Sequence, residues 1–189
     1  LEDLTTTFDS TKEKVLNIAV SDELNESQCV YFFTKGGLIK RTLLKEYLTG
    51  ASELQSYKLK SNEDKLIGVS FGANDGAQVL IVTQKGMAIK FEAASVSTTG
   101  RATSGVMGIS LKEEDSVIFG TVIDRRMPED QNDEMAITSD DIYVLSLISN
   151  TKESKTINIH DIRLQNRAGR GNNIFLVVMN DYIKDVKIK

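Results

Sequence analysis

The sequence predicts an all-β chain, a propeller-like array of about three to four blades with four strands each. Three observations lead there. The phrase Val30-Tyr31-Phe32-Phe33-Thr34-Lys35-Gly36-Gly37-Leu38-Ile39-Lys40-Arg41 returns 49 residues later as Val79-Leu80-Ile81-Val82-Thr83-Gln84-Lys85-Gly86-Met87-Ala88-Ile89-Lys90. Short apolar runs broken by turn signals fill the chain, and helical periodicity is hard to find. A repeat of about 50 residues carrying four strands has the size of a propeller blade. The 189 residues then read as a single repeat domain, 1–189, with repeats near 13–63, 64–114 and 115–180. The bland alternative is a β-sandwich with chance internal similarity. The paired Thr-x-x-Gly turns and the Arg-Ala phrases downstream of them argue against it.

Each repeat opens on a strand that starts polar and turns apolar: Glu13 to Val20, Asp64 to Phe71, and Asp115 to Val122. A variable, acidic loop follows, at Ser21 to Gln28, Gly72 to Gln78 and Asp124 to Asp133. The hairpin comes next, with Gly37 and Gly86 where a tight turn takes positive φ. Its third copy is weaker and reads as Met135 to Leu145, with Asp141 in the turn slot. A glycine-rich box and a further strand close each repeat. Gly100-Arg101-Ala102-Thr103-Ser104-Gly105 leads into Val106 to Leu111, and Asn166-Arg167-Ala168-Gly169-Arg170-Gly171 leads into Ile174 to Val178. The two boxes stand 66 residues apart. A degenerate first copy, Thr49-Gly50-Ala51-Ser52, leads into Leu54 to Leu59. The tail from Asp181 to Val186 matches the strand that opens a repeat.

Composition excludes several functions. Hydrophobic residues are 40% and charged residues 26%, which fits a folded globular chain. No apolar run approaches the roughly 18 residues of a membrane helix. The start, Leu1-Glu2-Asp3-Leu4-Thr5, lacks the basic and apolar regions of a signal peptide and reads as a cut within a longer chain. Cys29 is the one cysteine and His160 the one histidine. An internal disulfide, a cysteine-rich zinc site and a multi-histidine metal site are therefore out, and no P-loop is present. Neither a metal nor a cofactor is expected. No constellation joins a nucleophile, a base and an oxyanion site, so no catalytic residue is expected. The net charge of −4 argues against nucleic acid at first sight.

The phrases Phe33 to Thr42, Val82 to Phe91 and Gly100 to Ile109 resemble the C-terminal domain of bacterial type IIA topoisomerase A subunits, those of DNA gyrase and topoisomerase IV. The resemblance runs from about Glu13 to the end. It implies a β-pinwheel, in which neighbouring propeller blades exchange strands. It also implies a non-catalytic domain that binds and bends or wraps duplex DNA around a basic outer rim. In this family the cleaving tyrosine lies in the N-terminal part of the same polypeptide, whereas ATP hydrolysis is the work of the partner B subunit. Both are implied partners. The implied setting is the bacterial cytoplasm at the nucleoid, with no membrane and with the isolated domain a monomer. Gyrase carries a box Gln-Arg-Arg-Gly-Gly-Lys-Gly, and this chain has no true copy of it. The nearest phrase is Leu164 to Gly171, which favours topoisomerase IV.

Binding duplex without reading sequence needs Lys and Arg at phosphate spacing on one surface. The candidates are Lys35, Lys40, Arg41 and Lys45 in the first repeat, Lys85, Lys90 and Arg101 in the second, and Arg163, Arg167 and Arg170 in the third. Acids lie elsewhere, at Asp22, Glu23 and Glu26, at Glu113, Glu114 and Asp115, and at Glu129, Asp130, Asp133 and Glu134. A basic rim can thus coexist with an acidic total. Glycines 105, 169 and 171 allow either close approach to phosphate or tight turns. The third turn, Ser139-Asp140-Asp141, repels phosphate. A competing reading is a protein-interaction propeller whose acidic loops dock a basic partner. Tyr31, Phe32, Phe33, Phe71 and Phe119 read as core, and Cys29 and His160 as packing or surface residues.

Overall fold

Period-two alternation in the first hairpin sets the layers. In strand β1 (Cys29–Thr34), Cys29, Tyr31 and Phe33 enter one core, and Val30 and Phe32 enter another on the opposite face. The same split recurs in β4 (Ala77–Thr83), where Val79 and Ile81 join the first core and Leu80 and Val82 a third. Sheets are therefore stacked like blades, the first two hairpins buried on both faces. These relations come from a computed structural model that describes residues 9, 11, 13–20, 25–124 and 143–189.

Three antiparallel sheets form among the described residues. The first has the order β3-β1-β2-β6, with β2 at Leu38–Leu43, β3 at Leu66–Gly72 and β6 at Val106–Met107. The second is β10-β5-β4-β7, with β5 at Met87–Glu92, β7 at Val117–Asp124 and β10 at Asn172–Asn173. The third is β11-β8-β9, with β8 at Val144–Ser149, β9 at Ser154–Asn158 and β11 at Ile183–Ile188. Each hairpin ends in one turn of 3-10 helix: Leu44–Glu46, Ala93–Ser95 and Ile159–Asp161.

Blades exchange strands, as the resemblance implied. β6 lies beyond the second hairpin but pairs with the first, Leu38 against Met107 and Ile39 against Val106. β10 lies beyond the third hairpin and pairs with the second. The polar-to-apolar strands β3, β7 and β11 each pair with the hairpin that precedes them or, for β11, with the third hairpin. Sheets thus straddle the sequence repeats.

This pairing rule explains three departures from expectation. Residues 13–20 form no strand, because no described hairpin precedes them; Asn17 Nδ2 still donates to Val69 O at 2.8 Å. Leu54 to Leu59 likewise form no strand and instead fold over the first sheet, with Tyr57 buried beside Phe32, ring centres 6.0 Å apart. Ile174 to Val178 form no strand either. The Ile174 and Phe175 amides donate to Gly86 O at 2.8 and 3.3 Å, which anchors this segment on the second turn.

The third hairpin is β8–β9, not Met135 to Leu145. Met135 to Ile142, with Asp140 and Asp141, lie outside the described residues. The register places Ser149 at the position of Thr83, the same 66-residue spacing as the boxes. Gly37 (φ 85°), Gly86 (φ 81°) and Lys152 (φ 70°) then hold one turn position.

One aspartate latches each turn. Asp64 Oδ1 accepts from the Gly36 amide at 2.7 Å. Asp115 accepts from the Lys85 amide at 3.0 Å, the Ser116 amide at 2.8 Å and Thr83 Oγ1 at 2.7 Å. Asp181 accepts from the Thr151 amide at 3.2 Å and Thr151 Oγ1 at 2.7 Å. The Thr151 hydroxyl, aided by neighbouring amides, holds the Asp181 carboxyl below its ordinary range. Each latch ties a turn to the start of the strand that closes its sheet. Asp115→Ala removes three bonds to a charged acceptor and is expected to lower stability by about 2 kcal/mol, read as a shift of the urea midpoint.

Candidate nucleic-acid interface

The ten candidate cations fall into three groups. Lys40, Arg41 and Lys90 are buried, at 1%, 7% and 6% exposure. β2 and β5 are inner strands covered on both faces, so their basic residues turn inward. Lys40 Nζ donates to Ser56 O at 2.6 Å, to Gly100 O at 3.3 Å and to Arg101 O, between the Phe32 and Tyr57 rings. Burial lowers its pKa to about 8. Arg41 Nη1 donates to Asn74 O at 2.8 Å, and Lys90 Nζ to Ile159 O at 2.9 Å. These three are corrections to the sequence reading: they brace loops between blades and present no face to a phosphate.

Arg101 and Arg167, at equivalent box positions, are half-buried. Arg167 donates to Ser95 O at 3.1 Å and to Met107 O at 2.5 Å, clamping its box against the preceding one. The boxes bulge out of the fourth strand. Thr99 N donates to Arg41 O at 2.9 Å and Gln165 N to Lys90 O at 2.8 Å before each chain loops away and returns as β6 or β10. A Cβ on Gly105 would stand 2.6 Å from Ile39 O, and one on Gly171 2.4 Å from Ala88 O. These glycines serve close packing of the bulge on β2 and β5. Gly169 is half-buried in the same bulge.

Lys35, Lys45, Lys85, Arg163 and Arg170 are exposed. Lys85 is engaged, donating to Glu113 O at 3.1 Å and standing 3.5 Å from Glu114. The others form no ion pair among the described residues. They do not all lie together: Lys35 is in the turn of the first hairpin and Lys45 beyond its far end, roughly 20 Å away for six-residue strands. Lys45 and Arg163 instead share the end that carries the 3-10 turns, whereas Lys35, Lys85 and Lys152 share the turn end.

Sequence reading missed two surface cations. Lys152 escaped because the third turn lacks the Thr-x-x-Gly pattern. Lys58 escaped because the first box is degenerate. Its amide donates to Thr103 O at 3.1 Å and its carbonyl accepts from Ser104 Oγ at 2.6 Å, which puts it beside the second box. The single histidine, His160, is exposed, with its amide bonded to Asn158 Oδ1 at 2.9 Å. Cys29 is buried, and burial raises its thiol pKa. Tyr31, Phe32 and Phe33 are core residues, as expected.

Residues 30–71, 77–124 and 154–181 match the family model described as DNA gyrase C-terminal domain, beta-propeller. The chain belongs to this family. The matched segments take in the first two hairpins, the strands β3 and β7 that close them, both boxes and, from the third sheet, β9; β8 and β11 lie outside them. Among curated relatives, the DNA gyrase A protein of Helicobacter pylori strain J99 is 31% identical over 160 residues, covering 84% of this chain and 18% of that protein. The corresponding DNA topoisomerase 4 protein of Bacillus subtilis, its A chain, is 33% identical over 113 residues, covering 59% of this chain and 14% of that protein. The chain thus spans under a fifth of either relative. A crystal structure of the C-terminal domain of DNA topoisomerase IV superposes with a TM-score of 0.73 at 23% identity, covering 91% of this chain and 49% of that one. The C-terminal domain of DNA gyrase A superposes with 0.57 at 19% identity, covering 99% and 73%. Both share the fold. No helix among the described residues is long and apolar enough to cross a membrane.

Proposed function

We propose that this chain is a non-catalytic module that binds and bends duplex DNA for the A subunit of a bacterial type IIA topoisomerase. The carrying observation is that each hairpin turn bears an exposed cation, Lys35, Lys85 and Lys152, one, two and three residues after the aligned Thr34, Thr83 and Ser149, and that Lys45 and Arg163 lie toward the opposite ends. Lys58 and Arg170 extend the set along the boxes. Such contacts fix a duplex by its phosphates and read no bases. A row of such residues from blade to blade would let a bent duplex make more contacts than a straight one. The absence of a Gln-Arg-Arg-Gly-Gly-Lys-Gly box supports topoisomerase IV over gyrase. The bacterial cytoplasm, strand cleavage by an N-terminal part of the polypeptide and ATP hydrolysis by the B subunit belong to the same proposal.

Fluorescence anisotropy with a duplex at several salt concentrations tests it. The logarithm of affinity should fall linearly with the logarithm of salt, by about 0.9 per phosphate neutralised. Replacing Lys35, Arg163 and Arg170 together by alanine should reduce that slope by about 2 to 3. Replacing Lys90 by methionine should leave the slope unchanged, since that ammonium faces a carbonyl. Absence of binding at low salt, or a slope indifferent to the triple substitution, overturns the reading in favour of a protein-docking propeller.

A further inference from the structure

The face of the first sheet that carries Phe32 is polar where its copy in the second sheet is apolar. Lys40, Thr42 and Tyr47 stand 49 residues before Ile89, Phe91 and Val96. The registers match, with Val30 against Thr42 and Val79 against Phe91. Ile89, Phe91 and Val96 all lie in one apolar core. Lys40 and Thr42 are buried just as deeply, at 1% and 0% exposure. Tyr47 packs on Phe32, ring centres 6.2 Å apart.

Buried polar atoms need partners. Five buried side-chain nitrogen and oxygen atoms lack one among the described residues, and three of the five meet here: Thr42 Oγ1, Tyr47 OH and Arg101 Nη1. Lys40 marks the meeting point. Its ammonium donates to the carbonyls of Ser56 and Arg101 and lies 5.0 Å from the centre of the Phe32 ring. Burial raises the Tyr47 pKa, and the Thr42 hydroxyl, the Arg101 charge, the Glu46 carboxylate and the Ser56 hydroxyl all act on that phenol. These groups surround it, yet none holds it in direct hydrogen-bond geometry.

Lys40 cannot serve the three orphans. An ammonium has three hydrogens, and they go to the carbonyls of Ser56, Gly100 and Arg101. Arg101 also differs from its copy in the second box. Arg167 spends its guanidinium on Ser95 O and Met107 O, at 3.1 and 2.5 Å. Arg101 Nη1 has no such carbonyl among the described residues.

We infer that one buried water molecule binds at this point and seats the first box on β2. It accepts from Arg101 Nη1 and from the Tyr47 hydroxyl, and it donates to Thr42 Oγ1. Three bonds are about the usual number for an internal water. Its second hydrogen has the Ser56 hydroxyl oxygen, whose own hydrogen goes to Leu54 O at 3.2 Å. A site offering lone pairs as well as hydrogens suits water and not a halide, which only accepts. The Glu46 carboxylate that acts on Tyr47 also repels an anion. In the second blade Arg167 clamps its box directly, and Ile89, Phe91 and Val96 leave no polar side-chain atom to serve.

A high-resolution crystal structure of the full chain tests this. It should show one solvent peak within hydrogen-bond distance of Thr42 Oγ1, Tyr47 OH and Arg101 Nη1. Thr42→Val and Tyr47→Phe give an energetic test in which the sign decides. Removing a hydroxyl that holds a shared water should lower the thermal midpoint by about 2–4 °C in each variant. The double variant should lose clearly less than the sum, because both hydroxyls act through one molecule. Removing a hydroxyl that has no partner should instead raise the midpoint. A higher midpoint in either single variant overturns the inference, and so do losses that add in full. A crystal in which protein atoms pair the three groups directly overturns it as well. An anomalous peak at the same point in bromide-soaked crystals also overturns it, by assigning the site to an anion.

Discussion

Replacing Gly86 by alanine is expected to lower stability by more than about 3 kcal/mol and to loosen the contact between the second and third blades. Two costs combine. Gly86 has φ of 81°, a conformation that costs an L-residue about 1–2 kcal/mol. Its new Cβ would also stand 2.0 Å from Phe175 O, a backbone atom that cannot swing aside. Relief requires moving residues 174–175 away, which breaks the two amide bonds onto Gly86 O. Lys152 supplies the control. It has the same turn conformation, φ 70°, without glycine. Lys152→Gly should therefore be neutral or stabilising by up to about 1 kcal/mol. Urea denaturation of the two variants checks the pair. Equal and small effects would show that the turn alone, and not the exchanged chain against it, demands glycine.

The second large effect is at Lys40. Lys40→Met strips the carbonyls of Ser56, Gly100 and Arg101 of their shared donor, and the expected loss is about 3 kcal/mol. The pH dependence is more diagnostic. Burial lowers the Lys40 pKa to about 8, whereas an unfolded lysine titrates near 10.4. Between these values the unfolded chain binds a proton that the folded chain has released. Stability contributed by Lys40 therefore rises with pH across that window, and below about pH 8 the contribution is flat. The buried phenols of Tyr47 and Tyr57 have raised pKa values, again from burial, and act only above pH 10. Wild type should gain relative to Lys40→Met between pH 8 and 10, by on the order of 2 kcal/mol. Parallel stability curves for the two proteins would show that the ammonium is not desolvated.

Much of this fold is legible in the sequence because its signals are local. Hairpins one and two announce themselves by Thr-x-x-Gly, and the boxes by Arg-Ala and glycine. The third hairpin hides because Lys152 holds the turn and Ser149 replaces threonine; only the 66-residue spacing of the boxes pointed to it. The candidate site was read less well. Ile39-Lys40-Arg41 looks like the end of an exposed strand, and its inward turn depends on Phe32, Tyr57 and a loop some sixty residues away. No local pattern separates a lysine that braces a loop from one that meets a phosphate. The latching aspartates were visible as polar strand starts, but their partners are turns of another segment.

Strand exchange also dictates an order of assembly. The first sheet takes its last strand, β6, from beyond the entire second hairpin, and the second takes β10 from beyond the third. As the chain leaves the ribosome, neither hairpin can finish its sheet when its own residues emerge. Each waits with an unpaired edge until the following repeat has been made. Folding is thus pulled toward one late, concerted step, with contacts distant in sequence and correspondingly slow closure.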